Sequence, residues 1–158
     1  MPSILILDGH CQFCSIHCFC AKRSFLASTS AVRTYSPLAS GRLCRPQGET
    51  TKRLELDDYA KFKYDKTQEA DALIVQRVEE IAKKRSVSMT EVSLAWLLQK
   101  VDVSVMGVTK TSNVDGAVKA VNLELTEEEM NYLEELYVPH ELAGVMAQNG
   151  KQTAGDVV

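Results

Sequence analysis

The stretch SVMGVTKTSNVDGAVKA, residues 104–120, constrains the fold more than any other part of the chain. Its first residues continue a short apolar run rich in β-branched side chains, which predicts a buried strand over Val103–Met106. A glycine ends that run, and hydroxyl, amide and cationic side chains follow where a helix is predicted to begin. Ser112 or Asn113 can serve as the N-cap of a helix over Val114–Val121. A strand, a loop and a helix in this order indicate an α/β fold.

The loop between that strand and that helix is a candidate anion site. A helix N-terminus presents unpaired N–H groups and the positive end of its dipole, which suit a phosphate. Lys110 adds a full positive charge at the same point. An ordinary strand-to-helix connection with a solvated lysine is the alternative interpretation, and both stay open from this stretch alone.

Composition excludes several classes of function. A chain of 158 residues with 45% hydrophobic content is long enough for one domain with a core. The net charge of −3 provides no basic field for nucleic acid. No apolar run approaches the ~20 residues of a transmembrane helix, and Ile4–Leu7 is shorter than the roughly 7–15 residues of a signal-peptide core. We therefore expect a cytoplasmic protein that binds neither nucleic acid nor membrane.

Four of the five cysteines lie within ten residues of one another near the N-terminus, at Cys11, Cys14, Cys18 and Cys20. A C-x-x-C pair after the strand predicted at Ile4–Leu7 is typical of a thioredoxin-type redox centre, because a helix N-terminus lowers the pKa of the first thiol. The run LDGHCQFCS, residues 7–15, also resembles the start of small DCC-type thiol-disulfide oxidoreductases.

A zinc site is a second interpretation of this cluster. His10 and His17 lie among the cysteines, but a structural zinc site usually pairs two separated groups of ligands. A cysteine-rich segment without any site is the third interpretation. We assign no metal site, and we treat residues 1–33 as a separate cysteine-rich segment of unassigned fold.

The pattern changes from about Thr34 onward. A strand is predicted at Val32–Tyr35, and a loop of small residues follows at Ser36–Gly41. The polar segment Arg42–Lys66 has no strong periodicity and predicts a long loop. Apolar spacing then predicts helices at Thr67–Arg85, Met89–Lys100 and Glu127–Leu136, besides the one at Val114–Val121.

Local capping signals and connectivity refine this prediction. Ser88 and Glu91 form the pattern of a capping box, and the helix after them is apolar almost all round, so it should be deeply buried. Thr126 precedes three glutamates, which suit the first turn of the last helix. The strands near residues 34 and 104 should be parallel neighbours, because a crossover of that length normally returns to the same sheet. The tail from about Gly144 is small and polar, which predicts disorder.

Three segments in order carry a resemblance to a known family: YSPLASGRL, DALIVQRVEEIAKKRSVSMTEVSLAWLLQK and MGVTKTSNVDGAVKAVNLELTEEEMNYLEELYVPH. Over about residues 34–144 the chain resembles the C-terminal part of an aldo-keto reductase, in the branch that includes aryl-alcohol dehydrogenases and versiconal hemiacetal acetate reductases. The resemblance implies a TIM (β/α)8 barrel, of which this region would be a fragment with the last two strands and their helices. Residues 145–158 would form a disordered tail.

The resemblance also implies NADPH-dependent reduction of an aldehyde or ketone to an alcohol. The family's loop around the cofactor pyrophosphate matches five residues here, Ser36, Pro37, Leu38, Ser40 and Gly41. Its segment around the adenosine 2′-phosphate matches Gly107, Val108, Thr109 and Lys110, and Asn113 falls near the adenine. The lysine favours NADPH over NADH, because a cation complements the extra phosphate. Gly116 and Ala117 depart from the acidic or amide groups that the family often has there.

The family's catalytic Tyr, Lys, Asp and His come from the first half of the barrel, and nothing in residues 1–33 matches them. We therefore assign no catalytic residue, and His140 is assigned a structural role. The expected molecule is a truncated reductase that keeps the cofactor-binding half, or one whose barrel a second chain completes. Two alternatives remain, a thiol-disulfide or metal-binding module at Cys11–Cys20 and a non-catalytic interaction protein that uses exposed barrel edges.

Overall fold

A computed structural model of the chain describes residues 5–7, 32–58, 61 and 68–137. Within these ranges three short strands form one sheet: β1 (Leu5–Leu7), β2 (Val32–Tyr35) and β3 (Val103–Val105). Their order is β1-β2-β3, and both neighbouring pairs are parallel. The prediction that the strands near residues 34 and 104 are parallel neighbours is confirmed, and β1 extends the sheet on the far side of β2.

A 3₁₀ segment over Ala39–Cys44 follows β2, and the α-helices of the described ranges are α1 (Lys52–Leu56), α2 (Gln68–Arg85), α3 (Met89–Leu98), α4 (Thr111–Val121) and α5 (Glu127–Glu134). The predicted helices are confirmed, with ends that shift by a few residues. The loop predicted over Arg42–Lys66 is wrong in part, because the 3₁₀ segment ends inside it and α1 lies within it. The sequence of α1, KRLEL, consists of good helix formers but is too short to show a period.

The capping box predicted at Ser88 is confirmed, and the predicted cap at Thr126 is a second capping box. The Ser88 N–H donates to Glu91 Oε2 at 2.7 Å, and the Glu91 N–H donates to Ser88 Oγ at 3.2 Å. Thr126 and Glu129 form the same reciprocal pair at the start of α5. These bonds satisfy N–H groups that the first turn of a helix would otherwise leave unpaired.

Helix α3 lies at the centre of the molecule, where it packs against α2, α4, the 3₁₀ segment and β3. Its residues 91–97 are all buried, as its apolar composition predicts. The core around it is contributed by several elements and includes Leu43, Ile74, Val78, Ile81, Val92, Trp96, Val101, Leu125 and Leu133. Because Leu43 belongs to this core, the 3₁₀ segment after β2 is anchored to the helices.

The two faces of the sheet differ in their environment. Thr34 is buried, and its hydroxyl donates to Ser104 Oγ at 3.1 Å across the β2–β3 pair. The strand alternation turns Val103 and Val105 to the opposite face, where they are 42% and 52% exposed. The predicted burial of this strand is therefore wrong for both valines, since none of the described elements covers that face. Parallel sheets are normally covered on both faces.

Several predictions fall outside the described residues. These are the cysteine cluster Cys11–Cys20 with its histidines, His140, and the tail from Gly144. Within the described ranges, no helix combines the length and the apolar character that crossing a membrane requires.

Candidate functional site

The register of the sheet brings the two predicted phosphate loops to the same edge. Tyr35 ends β2 and Val105 ends β3, and these two residues are partners in the parallel ladder. Because neighbouring parallel strands run in the same direction, the chain segments that follow them leave the sheet at one edge. The residues predicted to bind pyrophosphate, Ser36–Gly41, and those predicted to bind the 2′-phosphate, Gly107–Lys110, follow these strand ends directly.

The first loop has an unusual backbone. Ser36, Ala39 and Ser40 have φ values of 57°, 48° and 57°, and Gly41 has a φ of 94°. A left-handed conformation costs a residue with a side chain roughly 1–2 kcal/mol, so it persists only where the surroundings hold it. Backbone strain of this kind is concentrated at functional sites.

The surroundings do hold this loop in place. The Ala39 side chain is only 2% exposed, and its N–H donates to the Ser36 carbonyl at 3.3 Å. The Gly41 N–H donates to the Leu38 carbonyl at 2.8 Å. Leu38, with φ −109° and ψ 15°, precedes the left-handed Ala39. A right-handed residue followed by a left-handed one turns backbone N–H groups toward a common concavity, which suits an anion.

The second loop is open to solvent. Residues 107–115 are all exposed, and α4 begins at Thr111 with Lys110 in the N-cap position. The backbone of Lys110 is extended, with φ −138° and ψ 147°, and no side chain caps the helix. The predicted cap at Ser112 or Asn113 and the predicted start at Val114 are therefore wrong. An exposed first turn needs no side-chain acceptor, because water satisfies its N–H groups.

The N-terminus of α4 differs from those of α3 and α5. Each of the latter carries a capping box with a glutamate in its first turn, whereas the first turn of α4 contains no acidic residue. The positive end of the α4 dipole is consequently not neutralised by its own side chains. Asn113 lies in this first turn, where its N–H donates to the Lys110 carbonyl at 3.0 Å.

Two residues near these loops were missed by sequence reasoning. Tyr35 has an exposed side chain at the end of β2, immediately before the first loop. Arg45 follows the 3₁₀ segment, and a methyl group at Gly41 would lie 3.6 Å from its Nη2. A cation shortly after a loop of small residues is a weak sequence signal, because the distance between that cation and the loop depends on how the 3₁₀ segment turns.

Cys44, at the end of the 3₁₀ segment, has a thiol of low reactivity. Burial raises its pKa, and this outweighs the opposite effects of the Thr90 hydrogen bond and the Arg45 charge. Since the thiolate is the reactive form, Cys44 is not poised as a nucleophile. Within the described part of the chain, no three His, Cys, Asp or Glu side chains are grouped in a way that could hold a metal ion.

Comparison with known proteins identifies the family of this region. The model of the Aldo/keto reductase family matches residues 28–138, which include both loops, the strands β2 and β3, and the helices α1 to α5. The chain belongs to the aldo/keto reductase family. The resemblance inferred from the sequence motifs is thereby confirmed.

Curated relatives of this aldo/keto reductase chain are similar over the same region. A putative aryl-alcohol dehydrogenase of Saccharomyces cerevisiae is 40% identical over 106 residues, which cover 66% of this chain and 31% of that protein. A putative aryl-alcohol dehydrogenase of Schizosaccharomyces pombe is 40% identical over 113 residues, or 70% of this chain and 31% of that protein. The versiconal hemiacetal acetate reductase of Aspergillus parasiticus is 37% identical over 108 residues, or 66% of this chain and 32% of that protein. The chain thus spans about a third of the length of these relatives.

Proposed function

We propose that this aldo/keto reductase chain carries the NADPH-binding part of an oxidoreductase that reduces an aldehyde or ketone to an alcohol. The observation that carries the proposal is the shared sheet edge, where the strained Ser36–Gly41 loop and the uncapped N-terminus of α4 lie after neighbouring parallel strands. Both features suit phosphate groups, and a dinucleotide offers phosphates at two separated points.

Family membership supports a specific fold for this arrangement. We propose that residues 34–144 are part of a TIM (β/α)8 barrel, with β2 and β3 as its last two strands, and that the cysteine-rich residues 1–33 precede it, with β1 paired to β2. Phosphate sites in such barrels form from the loops after strands seven and eight together with a helix N-terminus. The cytoplasmic location expected from the sequence stays a prediction.

Each loop has a proposed role. The first loop would surround the pyrophosphate with Ser36, Pro37, Leu38, Ser40 and Gly41, and the Ser36 and Ser40 hydroxyls would donate hydrogen bonds to it. The second loop would hold the adenosine 2′-phosphate, through Gly107, Val108, Thr109 and Lys110, with Asn113 near the adenine. Lys110 is exposed and uses no side-chain bond to cap α4, so its ammonium group is available to a ligand.

We propose no proton donor in this chain. The family's catalytic Tyr, Lys, Asp and His belong to the first half of the barrel, and no residues of this chain match them. The chain would therefore contribute binding energy for the cofactor, and hydride transfer to a carbonyl substrate would need the rest of the fold.

Exposed apolar residues support a partner that supplies that rest. Val103 and Val105 are exposed on the sheet, and Val114, Val118 and Val121 form a separate exposed stripe on α4. A parallel sheet is normally covered on both faces, and large exposed apolar patches mark interaction sites. We propose that the remaining β/α units of the barrel, supplied by a second polypeptide, cover these residues.

Co-expression would test this partner. A fragment of the S. cerevisiae relative that lacks the region similar to this chain should co-purify with this chain as a one-to-one complex. Val118→Lys should abolish the complex, because it places a charge on the α4 stripe, whereas Lys119→Gln on the adjacent position should not. A stable homodimer of this chain, or a complex that tolerates Val118→Lys, would contradict the proposed partner.

Calorimetric titration of the folded chain tests the cofactor. Lys110→Ala should weaken NADPH binding roughly ten- to a hundredfold, since a hydrogen bond to a charged group contributes about 1.5–3 kcal/mol. NADH lacks the 2′-phosphate and should bind both proteins equally. Lys119→Ala is the matched control, because it removes a cation from the last turn of the same helix. Equal losses for both cofactors would exclude a contact of Lys110 with the 2′-phosphate, and a folded chain that binds neither cofactor would overturn the proposal.

A further inference from the structure

A buried serine ties the end of the 3₁₀ segment, just after the loop proposed to surround the pyrophosphate, to the central helix α3. The Ser93 hydroxyl donates to the Leu43 carbonyl at 3.1 Å. Ser93 is 6% exposed and Leu43 is 4% exposed, so water does not compete for this bond. A serine inside a helix commonly bonds a carbonyl of its own preceding turn or points to solvent. Ser93 instead bonds a residue 50 positions earlier in the chain.

A second hydroxyl on the same side of α3 contacts the next residue of the 3₁₀ segment. Thr90 lies three positions before Ser93, so the two side chains are neighbours on the helix surface. The Thr90 side chain is hydrogen-bonded to the Cys44 thiol. Because a thiol is a weak hydrogen-bonding group, the bond from Ser93 to the Leu43 carbonyl is the stronger of these two attachments.

The carbonyl that Ser93 holds belongs to a residue that is also bonded to the loop. The Leu43 N–H donates to the Leu38 carbonyl at 3.4 Å, and the Gly41 N–H donates to the same carbonyl at 2.8 Å. Three loop residues with side chains have left-handed backbones, and such backbones persist only where the surroundings hold them. The pairing of β2 with β3 holds the loop at its start, and Ser93 holds it at its end.

We infer that Ser93 is a positioning residue for the cofactor, which acts through the backbone of the Ser36–Gly41 loop and does not touch the dinucleotide. This role rests on the proposed function and deepens it. The loop would surround the pyrophosphate, which NADPH and NADH share, so a displaced loop should weaken the binding of both. Ser93 differs in this respect from Lys110, whose proposed contact distinguishes the two cofactors.

The test measures cofactor binding and amide hydrogen exchange on purified, folded variants of the full chain. Ser93→Ala should weaken NADPH and NADH binding by the same factor, roughly three- to tenfold, which corresponds to one neutral hydrogen bond. It should also speed hydrogen exchange in residues 36–44, because the loop opens more often. Ser93→Cys should behave like Ser93→Ala, since it keeps a side chain of similar size but offers only a weak donor.

The matched control is Val92→Ala, at the neighbouring position of α3. Val92 is fully buried in the core, so its truncation should lower the melting temperature and leave both dissociation constants unchanged. If Ser93 only stabilises the fold, Ser93→Ala should give the same pattern as Val92→Ala, with unchanged exchange in residues 36–44. That result, with Lys110→Ala still selective for NADPH, would overturn the positioning role and leave the proposed function intact.

Two further outcomes would also overturn the positioning role. A loss of affinity confined to one cofactor would contradict an effect on the shared pyrophosphate. Full affinity in Ser93→Cys would show that the volume of the side chain, and not its hydrogen bond, positions the loop. A folded parent chain that binds neither cofactor would overturn both the positioning role and the proposed function.

Discussion

Arg85, in the last turn of α2, donates hydrogen bonds from Nε and Nη2 to the two carboxylate oxygens of Glu129, in the first turn of α5. The Nε bond measures 2.9 Å. The same carboxylate accepts the Thr126 N–H at 3.0 Å in the capping box of α5. One buried carboxylate therefore both starts a helix and fastens it to α2.

Glu129→Gln should lower the free energy of unfolding by about 1.5–3 kcal/mol, because it weakens charge-assisted bonds at a buried position. Urea denaturation followed by circular dichroism would measure the change. Glu128→Gln is the control, since Glu128 is an exposed neighbour in the same helical turn and should cost only about 0.3–1 kcal/mol. Equal losses of unfolding free energy in the two variants would show that the ion pair of Arg85 with Glu129 does not stabilise the fold.

The pair of Arg85 and Glu129 should make the free energy of unfolding depend on pH. The hydrogen bonds from Arg85 lower the pKa of Glu129, and they outweigh the effect of burial. A carboxyl whose pKa is lower in the folded state stabilises the fold fully above its unfolded value of about 4.3, and this contribution disappears as the pH falls through the lower folded value. The difference in unfolding free energy between the parent and Glu129→Gln should therefore shrink as the pH is lowered from 6 through that range. A difference that does not change with pH would contradict the assignment.

Val92→Ala should destabilise the chain by about 1.5–3 kcal/mol, because Val92 is fully buried at the centre of α3, with 0% exposure. Val121→Ala, at a position that is 69% exposed in α4, removes the same two methyl groups and should change stability by less than about 0.5 kcal/mol. Thermal melts of the two variants would compare them directly. A larger loss at Val121 would mean that the α4 stripe is already covered in the isolated chain.

Gly41→Ala should weaken NADPH binding, whereas Gly48→Ala should not. Both glycines have left-handed backbones, with φ of 94° and 88°, so either substitution strains the chain by roughly 1–2 kcal/mol. Only Gly41 lies in the loop proposed to hold the pyrophosphate. Similar melting temperatures with different dissociation constants would confirm the site, and equal binding by the two variants would contradict it.

The purified chain should not reduce carbonyl compounds. The loss of a general acid alone typically costs about 10²–10⁴-fold in rate, and here the matching catalytic set is absent from the sequence. NADPH oxidation with aromatic and aliphatic aldehydes, followed by absorbance, would measure turnover. Activity that persists through further purification and is abolished by a substitution in this chain would show the prediction to be wrong.

Local signals explain which elements could be predicted from the sequence. The capping boxes at Ser88 and Thr126 and the apolar period of α2 depend on residues three or four positions apart, so the sequence contains them in full. The exposure of Val105 depends instead on what covers the sheet, which no local pattern encodes. Helix α4 begins at Thr111 and not at the predicted Val114, because the expected side-chain cap is not used there.

The candidate site divides in the same way. Lys110 and the small residues of the first loop stand out by their type and by the family motif. The approach of Arg45 to Gly41 depends on a turn through several left-handed residues, and three of these are not glycine. Since such backbone angles are uncommon for residues with side chains, the sequence offers little reason to expect them.

The hydroxyl bond between Thr34 and Ser104 has a consequence for how this region tolerates changes in length. A shift of β3 by one residue along β2 would turn Ser104 to the other face, place a valine against the Thr34 hydroxyl and move the Lys110 loop about 3.3 Å along the sheet edge. One inserted or deleted residue between α3 and β3 would impose such a shift. We therefore expect related sequences to keep that connection at constant length and to vary in length around α1.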